Sequence, residues 1–198
     1  MKVVNVVVLA AFLLLDCYYF LRILFVVLHA KLVAQRKSPL DVFVTRGVCL
    51  TTDLDCSCHM NNARYLRELD FARTHMLFSS GLWKTLKHLK AGVVVGSNTI
   101  RYRREINLFQ LYNIHTQIKY WDEKSLYIEQ RYINTKDKFV FAIAIICFRV
   151  LSKHIHYCNI KVHMIRARAR LFKYGDSLKV INGDPISMQN WCTVYTII

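Results

Sequence analysis

Apolar and polar positions alternate with several different periods along this chain, and each change of period marks a change of element. Val3 to Leu28 is apolar almost throughout, broken only by Asn5, Asp16 and Arg22. Gln35-Arg36-Lys37-Ser38-Pro39 is polar and closes a linker over residues 31–39, because proline and a polar run punctuate regular structure. Val42, Phe43, Val44, Thr45 and Val48 then predict a first strand within Asp41 to Thr51. From Asn62 to Ser80 the period lengthens. Tyr65, Leu66, Leu69, Ala72, Met76 and Leu77 recur at intervals of three and four, with Arg64, Arg67, Glu68 and Arg73 largely off the stripe, which predicts a long amphipathic helix. Gly81 suits its stop, and Trp83 to Lys90 predicts a short second helix.

Beyond Gly92 the period becomes two. Val93 to Arg104 is strand-like, and in Leu111 to Trp121 the residues Tyr112, Ile114, Thr116, Ile118 and Tyr120 alternate with Asn113, His115, Gln117 and Lys119. Leu126 to Ile133 returns the chain, and Phe139 to Val150 is apolar on both faces, as a strand covered on each side would be. A strand, a long helix and an antiparallel meander predict one α+β domain over residues 40–152, in which a curved sheet wraps a buried helix. Residues 153–198 form a basic extension in which Arg166, Arg168 and Arg170 alternate with alanine and the apolar residues keep no sustained period.

The first segment needs its own reading. As one helix, Val3 to Leu28 would reach roughly 39 Å at 1.5 Å per residue, against roughly 30 Å for the hydrocarbon core of a bilayer. An uncleaved N-terminal transmembrane helix over residues 1–30 is therefore expected, with Arg22 snorkelling to an interface and Asp16 the residue hardest to place. The alternative is a cleaved signal peptide on a secreted protein, favoured by Lys2 but not by the length of the apolar stretch. Lys31, Arg36 and Lys37 follow the segment and only Lys2 precedes it, so the domain should face the cytosol.

Charge and cysteine usage narrow the partners. The chain of 198 residues carries 28 lysines and arginines against 13 acids, a formal charge of +15, which favours an anionic partner such as a membrane surface or coenzyme A phosphates. Nucleic acid is disfavoured, since no zinc-finger spacing or RNP-like aromatic motif is present. Seven cysteines form no disulfide framework. Cys56-x-Cys58 and His154-x-His156-x-Cys158 match no metal-ligand spacing, so neither a metal nor another cofactor is expected.

The polar groups concentrate in one place. Residues 53 to 65 read Asp-Leu-Asp-Cys-Ser-Cys-His-Met-Asn-Asn-Ala-Arg-Tyr and join the first strand to the long helix. A thioester or similar carbonyl needs a nucleophile or activated water at its carbon and a donor at its oxygen. Carboxylates, an imidazole and the N–H groups of a helix start meet that need, although Asp and Asn are also ordinary helix-start residues.

The stretch Asp53 to Arg73 resembles the loop and central helix of hotdog-fold acyl-CoA thioesterases. That resemblance, which extends over about Asp41 to Ser152, implies a homodimer with sites near the subunit boundary, an acyl-CoA substrate and an endoplasmic reticulum address. It places Asp55 at the family's nucleophile or general base, with His59 assisting and Asp53 structural. Asn61, Asn62 and Tyr65 would then line the substrate site. Arg101 and Arg103 share a strand face and would meet coenzyme A phosphates, or else form a solvated edge. Several relatives carry a glycine after the second acid, where this chain has Cys56, Ser57 and Cys58.

Overall fold

The computed structural model of the chain describes residues 16–122 and 125–151. Residues 1–15 of the predicted anchor and the basic extension 153–198 lie outside the described residues. Helix α1 spans Cys17–Leu32, strand β1 Phe43–Val48, helix α2 Asn62–Ser79, helix α3 Leu82–His88, and strands β2 to β5 Gly92–Tyr102, Leu111–Trp121, Ser125–Asn134 and Val140–Leu151. The strands form one sheet in the order β1-β3-β4-β5-β2 with antiparallel neighbours throughout. Helix α2 lies along one face of it. This is the α+β hotdog arrangement that the resemblance implies.

The core follows from the two periods read in the sequence. Tyr112, Ile114, Thr116 and Ile118 of β3 are buried under α2, together with Leu126, Ile128 and Tyr132 of β4 and Ala142, Ala144, Ile146 and Phe148 of β5. From the helix come Tyr65, Leu69, Ala72 and Met76. Polar pins lock helix to sheet. The Gln130 amide donates to the Leu69 carbonyl (3.1 Å) and to Thr116 Oγ1 (3.0 Å), its oxygen accepts from Arg73 (2.7 Å), and the Tyr132 hydroxyl donates to the Tyr65 carbonyl (2.7 Å). Gly47 faces the Tyr112 ring so closely that a Cβ there would lie 2.4 Å from it, which is why β1 carries no side chain at this position.

Strand β1 is shorter than the predicted Asp41 to Thr51. The Asp41 carboxylate accepts from the Ser38 N–H (2.8 Å) and so belongs to a turn, and Thr51–Asp53 winds into a 3₁₀ turn. Strand β5 is fully covered on the α2 face, whereas Ile143, Ile145 and Cys147 on the other face are only partly buried.

The largest departure concerns the outer side of α2. Glu68 and Arg73, which fall off the apolar stripe, are buried rather than solvated. The reason is α1, which packs on the side of α2 away from the sheet and leaves it covered on both sides. The Asp16 side chain caps α1 by accepting from the Tyr19 N–H (3.1 Å), and Tyr19 packs on Phe71 with ring centroids 5.4 Å apart. Arg22 does not snorkel to an interface. Its guanidinium forks onto both carboxylate oxygens of Glu68 and lies over the Phe71 ring, 4.4 Å from its centroid. Among the described residues no helix is long and apolar enough to cross a membrane.

His29 of α1 faces His75 of α2, with ring centroids 5.7 Å apart. Burial lowers the His75 pKa below its ordinary 6.5, and His29 and Lys37 push it the same way. An unfolded chain therefore takes up this proton at a higher pH than the folded one, so the contribution of neutral His75 to stability is intact above pH 6.5 and is lost as pH falls below it. In His75→Gln the slope of stability against pH between 5 and 6.5 should flatten, as read by urea denaturation at several pH values.

Candidate active site

The segment between β1 and α2 folds as a small hairpin. Leu54 bridges Met60, the Asp55 N–H donates to the His59 carbonyl (3.0 Å), and the Cys58 N–H donates to the Asp55 carbonyl (3.1 Å). A four-residue turn closed by a residue in the left-handed region is the three-residue hairpin that ends in a bulge. Cys58 is that last residue, with φ +60°. A glycine within Cys56-Ser57-Cys58 would thus have a structural meaning at position 58, since glycine adopts this conformation without the cost of about 1–2 kcal/mol that an L side chain incurs. Glycine also loses more backbone freedom on folding, by about 0.5–1 kcal/mol. Cys58→Gly should accordingly stabilise the protein by about 0.5–1 kcal/mol, measurable as a raised urea midpoint at unchanged slope.

The hairpin sets the geometry of Asp55 and His59. Asp55 Oδ1 accepts from the Ser57 N–H (2.9 Å), and Oδ2 lies 3.3 Å from His59 Nδ1. Both side chains are about one-third exposed, at 27 % and 32 %. With Nδ1 turned to the carboxylate, the other ring nitrogen of His59 is left for solvent or substrate. On its outer edge the hairpin rests on the chain that follows β2: the Met60 N–H donates to the Ile106 carbonyl (2.9 Å), and His59 bridges Asn107.

Asp53 takes the structural part. It is buried, accepts from the Leu50 N–H (3.0 Å) and from Arg67 (2.9 Å), and its carbonyl accepts from the Asn61 N–H (2.8 Å). That network ties the foot of the hairpin to the first turns of α2. The Asn61 side chain caps the helix by accepting from the Ala63 N–H (2.9 Å), and its carbonyl takes the Arg64 N–H (2.8 Å). The Asn62 N–H has no hydrogen-bond partner among the described residues and stands at the positive end of the helix dipole.

Tyr65 is buried rather than open to a ligand. Its ring meets Tyr102 and Tyr132 edge-on, both at 5.0 Å, and burial pushes its hydroxyl up to about 12. Tyr102 stands nearer the surface and donates from its hydroxyl to the Asn62 carbonyl (3.2 Å). Tyr102, Ile106 and Asn107 all border the site, yet sequence spacing did not mark them, because they reach it only through sheet topology. Arg101 lies in β2 opposite Ile143. Arg103 sits past the strand end with its guanidinium 5.2 Å from the Phe139 ring centroid, and Arg104 stacks at 3.6 Å on the same ring while pairing with Asp137 (3.1 Å). The structure brings Asp55, His59, Asn61 and Asn62 together at one end of α2 and sets Arg101 and Arg103 apart from them on the β2 side.

This hairpin-and-helix arrangement coincides with a family match. Residues 49–172 match the model of the thioesterase-like superfamily. The chain belongs to that superfamily. It is 38 % identical over 156 residues to protein THEM6 of Drosophila melanogaster, a match covering 78 % of each chain. It is 45 % identical over 128 residues to protein THEM6 of Danio rerio, covering 65 % of this chain and 63 % of that one, so the match spans just under two-thirds of the fish protein. Among solved structures it is similar to YbaW, a probable thioesterase from Escherichia coli, with a TM-score of 0.54 and 29 % identity over 57 % of this chain and 85 % of that one. As a member of the thioesterase-like superfamily, the chain has its hairpin, α2, α3 and strands β2 to β5 inside the matched residues, while α1 and β1 precede them.

Proposed function

We propose that this protein binds a fatty acyl-CoA at the junction of the hairpin and α2 and hydrolyses its thioester to free fatty acid and CoA. The observation that carries the reading is the Asp55–His59 pair beside the uncapped Asn62 N–H. Asp55, as base or nucleophile, drives attack on the carbonyl carbon, with His59 orienting the water or returning a proton to the departing CoA thiolate. The Asn62 N–H donates to the carbonyl oxygen as it becomes an oxyanion. Arg101 and Arg103 are proposed to meet CoA phosphates.

A homodimer through β2 fits the same reading. Among the described residues β2 is an edge strand of 11 residues, largely exposed, whose end carries Tyr102 to the site, and an edge of that length invites another strand. Residues 1–15 are proposed as the membrane anchor, at the endoplasmic reticulum with the domain facing the cytosol. The test is release of free CoA thiol from palmitoyl-CoA by the purified full chain. Turnover by wild type no faster than by the Asp55→Asn variant would overturn the enzymatic reading.

One observation favours a second reading, acyl binding without efficient cleavage. Asp55 Oδ1 is already engaged by the turn, and Cys58 occupies a position suited to glycine. Saturable palmitoyl-CoA binding that survives Asp55→Asn, with no CoA release by wild type, would establish it.

A further inference from the structure

Helix α1 is apolar on two sides, and among the described residues only one of them meets the rest of the domain. Tyr19, Arg22, His29 and Ala30 face α2. Leu21, Leu24, Phe25, Leu28 and Leu32, at helical spacing along the other side, are all exposed, with Phe25 at 67 % and Leu32 at 79 %. A helix on the surface of a water-soluble domain carries polar residues there, and a contiguous apolar stripe of this length marks a surface with a partner.

We infer that this stripe is seated on an anionic phospholipid bilayer with α1 lying along the membrane plane. The membrane address proposed above is taken as given, and α1 becomes the face that docks the domain to it. Three observations select lipid. Residues 6–15, which precede α1 in the sequence, contain no charged residue, so the apolar character of the stripe is shared by the sequence before it. At the other end Lys31, Arg36 and Lys37 are exposed, and the chain as a whole carries +15, which complements anionic headgroups. Finally, the Arg22–Glu68 fork holds the opposite side of α1 to α2, so the helix cannot turn upright without leaving a buried carboxylate unpaired. An amphipathic helix fixed in this way lies in the interface with its apolar side buried about 5–10 Å deep.

The arrangement also sets the site close to the lipid. Tyr18, at the start of α1, lies under the Arg67 guanidinium (5.6 Å), and Arg67 holds Asp53 at the foot of the catalytic hairpin. Acyl-CoA partitioned in the same leaflet would reach the hairpin without passing through bulk water.

Depth measurement decides the matter. A fluorescent amino acid is placed singly at positions 21, 24, 28 and 32 of the full chain, bound to phosphatidylcholine–phosphatidylserine vesicles whose acyl chains are brominated near the headgroup or near the bilayer centre. All four probes should be quenched alike by the shallow bromines. Leu24→Glu with Phe25→Glu should cut quenching at position 28 at least about fivefold. Depth that increases steadily from position 21 to 32 would mean a spanning helix and overturn the inference. Unquenched probes would also overturn it, whether the stripe is bare or covers a second copy, the latter shown by a dimer that the glutamates dissociate. Hydrolysis of a soluble short-chain acyl-CoA by the same double variant reports the thioesterase reading separately and should be unchanged.

Discussion

Asp55→Asn is expected to lower kcat/KM for palmitoyl-CoA by about 10²–10⁴-fold, the range for removing a positioned base, while leaving the protein folded. The choice of asparagine matters. Asp55 Oδ1 accepts the Ser57 N–H across the turn, and an asparagine carbonyl oxygen can accept the same bond. Alanine would delete that bond and disturb a hairpin already carrying a left-handed cysteine, so its loss of activity would mix chemistry with folding. His59→Gln separates the roles of the pair. Asp55 Oδ2 faces His59 Nδ1 at 3.3 Å, so a His59 that removes the proton itself would make the two variants equally slow. If Asp55 attacks or activates water directly, His59→Gln should fall less, by about 10-fold. CoA thiol release under saturating and limiting substrate, with thermal unfolding as the control, distinguishes these outcomes.

Much of the core could be read in the sequence because one periodicity decided each element. In β3, alternate residues from Tyr112 to Ile118 are buried as the period of two requires, and the bounds of α2 differ from expectation by one residue. Asp53 and Asn61 were legible for a similar reason: their tasks are local, holding the backbone N–H groups of Leu50 and Ala63. What escaped was set by contacts distant in sequence. Glu68 looks like a solvated residue on a helix flank, and nothing within α2 reveals that Arg22, 46 residues earlier, closes over it. The same blindness made the first apolar segment read as one spanning helix, since hydropathy does not show that residues 17–32 have a partner. Tyr102 and Asn107 likewise reach the site through the pairing of β2 with β5 and the bridge to His59. Cys56, Ser57 and Cys58 stand in the sequence where relatives carry a glycine, but only the φ of +60° at Cys58 shows which of the three positions suits one.

That buried pair yields the largest expected effect on stability. Arg22→Met should destabilise the folded protein by about 3–5 kcal/mol, because it leaves a carboxylate without its cation at a residue only 1 % exposed. Burial already raises the Glu68 pKa, and Arg22 is the chief influence pulling it down, with the Tyr112 hydroxyl, 3.2 Å away, a smaller one. Removing the cation therefore leaves the acid either charged and unsolvated or protonated at the expense of the fork. In a domain of this size the loss corresponds to a fall in Tm of more than about 10 °C. The companion variant, Arg22→Met with Glu68→Met and Tyr112→Phe, removes the charges and the hydroxyl that would lose its acceptor. It should recover to within about 1–2 kcal/mol of wild type, since apolar groups of similar volume replace buried ion pairs with little cost. The pair of measurements also decides whether α1 is part of the domain. If α1 stood free of α2, Arg22→Met would leave the urea midpoint unchanged and the triple variant would show only the cost of altering Glu68 and Tyr112. If α1 is seated as the Arg22–Glu68 fork requires, the single change must be the worse of the two, because only there is a buried charge left without its partner.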